Sequence, residues 1–173
     1  MMKRISVPFD HRLTKTLALL QDPGLLLAAA KRSGKANAMA IGWATVGIIW
    51  GKPIFVAMVR PSRYTYEFIE DSKAFTVNVP SSDQRKWVEV CGTNSGRNMD
   101  KFGELNIAIS PALTVNSITL DACPMVYECR VLHYNDIVPT QLDAETDSSS
   151  YQGSDYHRLY YGEILGAFAS EDY

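Results

Sequence analysis

The sequence predicts a β-rich barrel flanked by short helices. Three observations carry this reading. Short runs rich in β-branched and aromatic residues recur along the chain between glycine and proline signals, and only two brief stretches show helical spacing. The regular alternation of strands with long helices that a doubly wound sheet requires is missing, and no internal repeat is present. A chain of 173 residues with 46% hydrophobic and 21% charged residues fits one globular domain spanning 1–173.

Taken in order, Leu25 to Lys31 and Asn37 to Trp43 are apolar runs joined by Arg32-Ser33-Gly34-Lys35-Ala36, a polar connection suited to a hairpin. The alanines of Leu-Leu-Leu-Ala-Ala-Ala also suit a helix. The most apolar segment, Ala38 to Gly51, is expected in a core. Pro53 then precedes Ile54-Phe55-Val56-Ala57-Met58-Val59, the clearest buried strand. Between Pro61 and Ser72, Tyr64, Phe68 and Ile69 recur at helical spacing, with Ser62 and Thr65 as candidate caps. Ala74 to Pro80 alternates and reads as a strand, and Ser81 or Ser82 starts a second helix ending near Gly92. Pro124 to His133 and Arg158 to Ala169 read as long strands. The acidic, serine-rich stretch from Pro139 to Ser154 is short of core residues, and its expected state is a mobile loop (139–154).

Composition narrows the function. A net charge of -2 supplies no basic footprint for nucleic acid. The first residues turn polar before a secretory signal develops, and Ala38 to Gly51 is broken by Gly42, Thr45 and Gly47 and shorter than the ~20 residues of a membrane span. The three cysteines, an odd number without CxxC spacing, favour reduced thiols, so a cytoplasmic protein is expected. His11, His133 and His157 show no paired spacing, so no metal site is expected. No GxSxG elbow, P-loop or GxGxxG is present. A Cys91 nucleophile is less well supported than a buried thiol at a helix end.

Two segments concentrate chemistry. Val59-Arg60-Pro61-Ser62-Arg63-Tyr64-Thr65 delivers hydroxyls and guanidiniums to a helix start, where free N–H groups and the dipole favour an anion such as phosphate. The same residues also serve as plain caps with solvated arginines, and local sequence leaves the two readings level. Cys91-Gly92-Thr93-Asn94-Ser95-Gly96-Arg97-Asn98-Met99-Asp100-Lys101-Phe102 gathers glycine, hydroxyls and cations in one turn-rich stretch. It reads as a ligand loop or as a solvated connection in which Asp100 balances Lys101.

Together with Asn37 to Pro53 and the closing Asp155 to Ile164, these motifs resemble the flavin reductase-like family, with the flavoredoxin-type branch as the nearest match, from about Leu25 to Phe168. The resemblance implies an FMN-binding split β-barrel with Greek-key topology and short flanking helices, forming a homodimer with flavin near the interface. By motif, Asn37, Ala38 and Met39 border the isoalloxazine, with Trp43 and Thr45 nearby. Ser62, Arg63 and Thr65 hold phosphate or ribityl oxygens, and Ser95, Arg97 and Lys101 complete the site. Tyr160, Tyr161 and Phe168 are expected to cover flavin, to bury against a partner, or simply to fill the barrel.

Two positions depart from the family pattern. Where relatives carry the Gly-Asp-His associated with the nicotinamide nucleotide, this chain has His133-Tyr134-Asn135-Asp136-Ile137, so NAD(P)H as donor is in doubt. Ala40 replaces a common Thr. The expected function is transfer of hydride or electrons through bound FMN to free flavin, a redox protein partner or another acceptor. The alternatives are an electron carrier with permanently bound FMN and no NAD(P)H turnover, or a domain without redox use. No catalytic side chain is assigned, because the ring chemistry belongs to the flavin.

Overall fold

The computed structural model describes residues 2–173. Its elements in chain order are β1 (Ile5–Ser6), α1 (Leu13–Gln21), β2 (Leu25–Ala30), β3 (Ala36–Ile41), β4 (Ala44–Ile49), β5 (Lys52–Val59), α2 (Tyr64–Ser72), β6 (Ala74–Val79), α3 (Arg85–Thr93), α4 (Lys101–Glu104), β7 (Ile109–Pro111), β8 (Ile118–Leu120), β9 (Met125–Asp136), α5 (Ala144–Ser150) and β10 (Arg158–Ala169).

One antiparallel sheet dominates, in the order β3-β2-β6-β9-β10-β5-β4, with β1 added to β10. Its two end strands, β3 and β4, are consecutive in the chain and joined only by Gly42 and Trp43. From Ile41 to Ala44 the chain makes three Cα-to-Cα steps and reaches no more than ~11 Å, so the sheet must curl until its edges come close together. The result is a barrel open along one seam, and that seam runs past Trp43.

The barrel interior is filled by alternate residues of facing strands, among them Leu25, Leu27, Phe55, Phe75, Val77, Tyr127 and Tyr160, while Phe68 and Ile69 of α2 plug one end. A second apolar layer lies outside, where Leu26, Ala28 and Ala38 pack under Val88 and Cys91 of α3 and Leu120 of β8. This explains why β2 is apolar at every position. Both of its faces are covered, and its alanines let the neighbouring layer approach, so burial decides for a strand over the helical propensity of Ala.

Two expectations need correction, and one segment without an assignment forms a helix. Ala38 to Gly51 is not wholly core: β4 is an edge strand, and beyond its start Ile48 and Trp50 are each 60% exposed. The segment 139–154 is not an irregular loop. It holds a 3-10 turn at Pro139–Gln141 and the helix α5, whose N-cap Asp143 accepts from Thr146 N–H and Oγ1. Ser148 and Ser149 donate to main-chain carbonyls within the helix, and Tyr151 closes it into the body of the protein. Residues 13–21, which the sequence reading leaves unassigned, form α1 with Thr16 buried between the hydroxyls of Tyr127 and Tyr173. No helix among the described residues is long and apolar enough to cross a membrane.

Candidate functional site

The turn after β5 and the loop after α3 come together against the end of β3, and between them lies a cavity of about 210 Å³. Asn37, Met39, Ser62, Arg63, Thr65, Ser95, Arg97 and Lys101, separated widely in sequence, all line it, and no acidic residue does. The convergence has local causes. Asn37 is buried and its amide donates to Thr65 Oγ1 at 2.9 Å, tying β3 to the first turn of α2. A Cβ built on Gly96 would fall on Asn37 Oδ1, so only glycine lets the loop after α3 pass this close. At Gly92 an added Cβ would stand 3.3 Å from Ala40 Cβ, so two small residues seat α3 against β3.

The start of α2 lacks a side-chain cap. Its N-cap residue is Arg63, and neither Ser62 nor Thr65 takes the capping role expected of it. Thr65 Oγ1 accepts from Asn37, and Ser62 is engaged by Asp155, whose carboxylate accepts from Ser62 Oγ at 2.6 Å and Ser62 N–H at 3.2 Å. The first-turn N–H groups of a nine-residue helix are thus left without a side-chain acceptor beside the cavity.

Lys101 is the most telling residue. It is 4% exposed, and its Nζ donates to Ala38 O at 2.9 Å and Cys91 O at 3.1 Å, with no carboxylate in ion-pair range among the described residues. Asp100 does not balance it; that carboxylate caps α4 instead, accepting from Gly103 N–H. Burial, with Arg63 nearby, lowers the Lys101 pKa. A buried ammonium with two neutral partners and one remaining donor is costly unless an anion completes it. Arg97 is more fully occupied: its guanidinium pairs with Glu67 at 2.6 Å, donates to Ser62 O and lies over the Tyr64 ring. Ser95 Oγ accepts from Arg97 N–H. The Arg63 side chain has no ion-pair partner among the described residues.

The remaining candidates fall elsewhere. Ala38 contributes its carbonyl to Lys101 while its methyl packs in the outer layer. Trp43 lines an adjoining cavity at the seam, together with Met39, Met58, Arg60, Arg63 and His157. Thr45 lies on the edge strand outside both cavities. Phe168 is not brought to the site: it pairs with β1 and β9 and faces a separate cavity beside Arg4 and Leu113. Tyr160 is buried in the barrel, where its hydroxyl donates to Glu70, so it fills the protomer's own core. Burial raises the Cys91 thiol pKa, which suits a packing role. A larger cavity, about 970 Å³ between Met2, Lys15, Arg85 and Tyr173, contains none of the motif residues.

The sequence reading misses His157, Tyr151 and Arg60 as a group. The His157 ring lies 5.0 Å from the Trp43 ring, tilted by 49°, its Nδ1 shares a 2.9 Å hydrogen bond with Tyr151 Oη, and Arg60 lies over the Tyr151 ring. Burial first, then Arg60, lowers the His157 pKa to about 4. The only local signal was an aromatic pair, Tyr156-His157, leading into β10.

The model of the flavin reductase like domain matches residues 20–172. An uncharacterized protein of Archaeoglobus fulgidus is 28% identical over 131 residues, covering 76% of this chain, and the match spans 64% of that protein's length. Among solved structures, the flavoredoxin of Desulfovibrio vulgaris (Miyazaki F) superposes with a TM-score of 0.69 at 26% identity, covering 87% of this chain and 70% of its own. An FMN-binding domain of a flavin reductases-like enzyme from Shewanella baltica has a TM-score of 0.68 at 20% identity, covering 98% of this chain and 78% of its own.

Proposed function

The chain belongs to the flavin reductase like family, and from that premise we propose that it binds FMN in the Lys101 cavity and serves flavin-dependent redox chemistry as an oxidoreductase. The observation that carries the proposal is the buried Lys101 without a carboxylate partner, in a cavity lined by cations and hydroxyls and by no acid. That donor set fits a phosphate. Lys101, Arg63, the uncapped N–H groups of α2 and the Ser95 hydroxyl are the groups to hold it, and the main chain of Asn37 to Met39 with Trp43 is the border for the ring.

Bound FMN supplies the capacity to accept and release electrons, and the protein's part is to bind, orient and shield it. Lys101 joins phosphate recognition to ring placement, because the same Nζ holds the carbonyl of Ala38 on β3. The fold resemblance to flavoredoxin and to an FMN-binding domain supports the reading.

A second reading, an electron carrier that holds FMN permanently without NAD(P)H turnover, is favoured by one observation. In the segment His133 to Ile137 the acid is already engaged, since Asp136 accepts from Arg158 Nε and Nη2 at 2.7 and 2.8 Å. Protein purified without added flavin should show flavin bands. Bleaching on anaerobic addition of NADH or NADPH would support the reductase, and persistence the carrier.

The binding claim itself is tested by Lys101→Ala. Loss of one charge-assisted contact should weaken FMN by ~1.5–3 kcal/mol, roughly 10- to 150-fold, and weaken riboflavin much less. Both flavins feel the loss of the Ala38 and Cys91 contacts alike, so their ratio isolates the phosphate. An unchanged ratio by fluorescence titration would show that Lys101 does not read it.

A further inference from the structure

Three aromatic rings run in series from the barrel seam into the arm that precedes β10. Trp43, 44% exposed at the seam, stands edge-on to Tyr151 with ring centroids 6.2 Å apart, and Tyr151 stacks on Tyr156 at 4.9 Å with 25° between the planes. Each phenol in the series faces a base of its own. Tyr151 Oη shares its 2.9 Å hydrogen bond with His157 Nδ1, and Tyr156 Oη donates to Asp147 Oδ1 of α5 at 2.7 Å. Tyr151 is buried, whereas Trp43 at one end and Tyr156 at the other reach solvent. Burial asks only that the Tyr151 hydroxyl find some partner. It does not ask that two successive phenols each meet a group able to take a proton.

We propose that Trp43, Tyr151 and Tyr156 form a one-electron relay that carries an electron hole from the seam to the surface of α5, with His157 and Asp147 as its proton acceptors. The relay begins when an oxidising radical takes one electron from the Trp43 indole. Tyr151 then gives one electron to the indole and its phenolic proton to His157 Nδ1, which leaves neutral Trp43, an imidazolium and a phenoxyl radical. Next, Tyr156 gives one electron to that radical and its own proton to Asp147, while the proton on His157 returns to Tyr151 Oη. Tunnelling falls off steeply with distance, and neighbouring rings keep each hop short. The Arg60 guanidinium, 5.0 Å from the centroid of the Tyr151 ring, disfavours positive charge there and so ties loss of the electron to loss of the proton. His157 is a weak base, its pKa lowered to about 4 by burial first and then by Arg60, yet an oxidised phenol is a far stronger acid than a resting one. The proton therefore moves while the hole is present and returns when it passes on. Only the position of the relay beside a cofactor rests on the reading of Trp43 as the border of the flavin ring.

The test is pulse radiolysis of the full chain as purified, with azide radicals as the oxidant of tryptophan and visible absorption to separate tryptophan from tyrosine radicals. Trp50 lies 6.0 Å from Tyr161, a second tryptophan–tyrosine pair, so the measurement is made with Trp50→Asn. The tryptophan signal should convert to a tyrosine signal at a rate independent of protein concentration. Tyr151→Phe, which keeps the ring and removes the hydroxyl, should lose that conversion, and so should Trp43→Phe. No conversion in the parent, or conversion unchanged by either substitution, would overturn the proposal. Should a variant not fold, the unaltered protein decides: oxidised in the presence of the spin trap 2-methyl-2-nitrosopropane, it should carry an adduct on Tyr156 by peptide mapping, although Tyr134 is 42% exposed. Adducts that spare Tyr156 would overturn the relay. Protein that holds no flavin would remove the cofactor reading and leave both measurements intact.

Discussion

Asn37 shows how little freedom the site leaves at single residues. Its side chain is fixed between Thr65 Oγ1 and the backbone of Gly96, and the Tyr64 ring crowds the same point beside that glycine. Gly96→Ala should therefore push Asn37 off Thr65. The expected cost is ~1–3 kcal/mol of stability from overpacking, with weaker flavin binding measured alongside by denaturant titration and fluorescence. His157 yields a prediction with a sign. Its folded pKa of about 4 lies below the ordinary value of 6.5, so between those values the unfolded chain binds a proton that the native protein refuses. Stability should fall as pH drops from 6.5 toward 4, and His157→Gln should remove that part of the slope. NMR titration showing the ring resonances moving near pH 6.5 would contradict it. That Ser62, Arg63, Thr65 and Lys101 line one cavity was legible because hydroxyls and cations concentrate in two short segments of the sequence. What was not legible was who engages them. Asp155 on Ser62 and Glu67 on Arg97 are partners across 93 and 30 positions, and no local pattern announces such pairs.

Among the elements, the segment leading into β10 departs most from its composition. A serine-rich acidic run reads as unstructured because it lacks periodic apolar residues, yet one residue, Tyr151, anchors it. Its ring is buried against Trp43, Tyr156 and the Arg60 guanidinium, and Arg60 also holds Ser150 O. A single aromatic anchor carries no periodicity, so pattern reading cannot see it. Tyr151→Ala should cost ~2–4 kcal/mol by leaving a cavity and should shift Trp43 emission to the red, whereas Ser148→Ala, at an exposed position, should do neither. The segment 139–154 supplies no lining residue to the Lys101 cavity, so a Gly-Ser replacement should keep the flavin spectrum while lowering the unfolding midpoint. Loss of colour in a folded variant would contradict this. The strands were more legible than this arm, because β5, β6 and β10 are buried β-branched and aromatic runs whose chemistry allows little else.

At the scale of the whole molecule, the barrel follows from closure: two edge strands linked by two residues cannot lie far apart. That seam leaves β4 as an edge without a second neighbour, and at its tip the chain makes an unusual choice. Trp50 and Gly51 both have positive φ, 55° and 69°, which closes the β4-β5 hairpin with the backbone twist its strands prefer. Glycine accepts this conformation freely, but a tryptophan there costs about 1–2 kcal/mol. The indole is nevertheless 60% exposed, beside Ile48 at 60%, with the rings of His133 and Tyr161 packed on its edge. Strain together with exposed apolar surface is unfavourable in an isolated protomer and is offset if a second copy covers the strand. We therefore expect a homodimer that buries β4 and its tip. Sedimentation equilibrium should give a dimer at micromolar concentration with FMN present, and Ile48→Asp combined with Trp50→Asn should give a folded monomer. Because Asn tolerates positive φ better than Trp, the monomer's own stability should be retained, so a loss of association would report the interface and not unfolding. A monomer for the unaltered chain would sink the expectation.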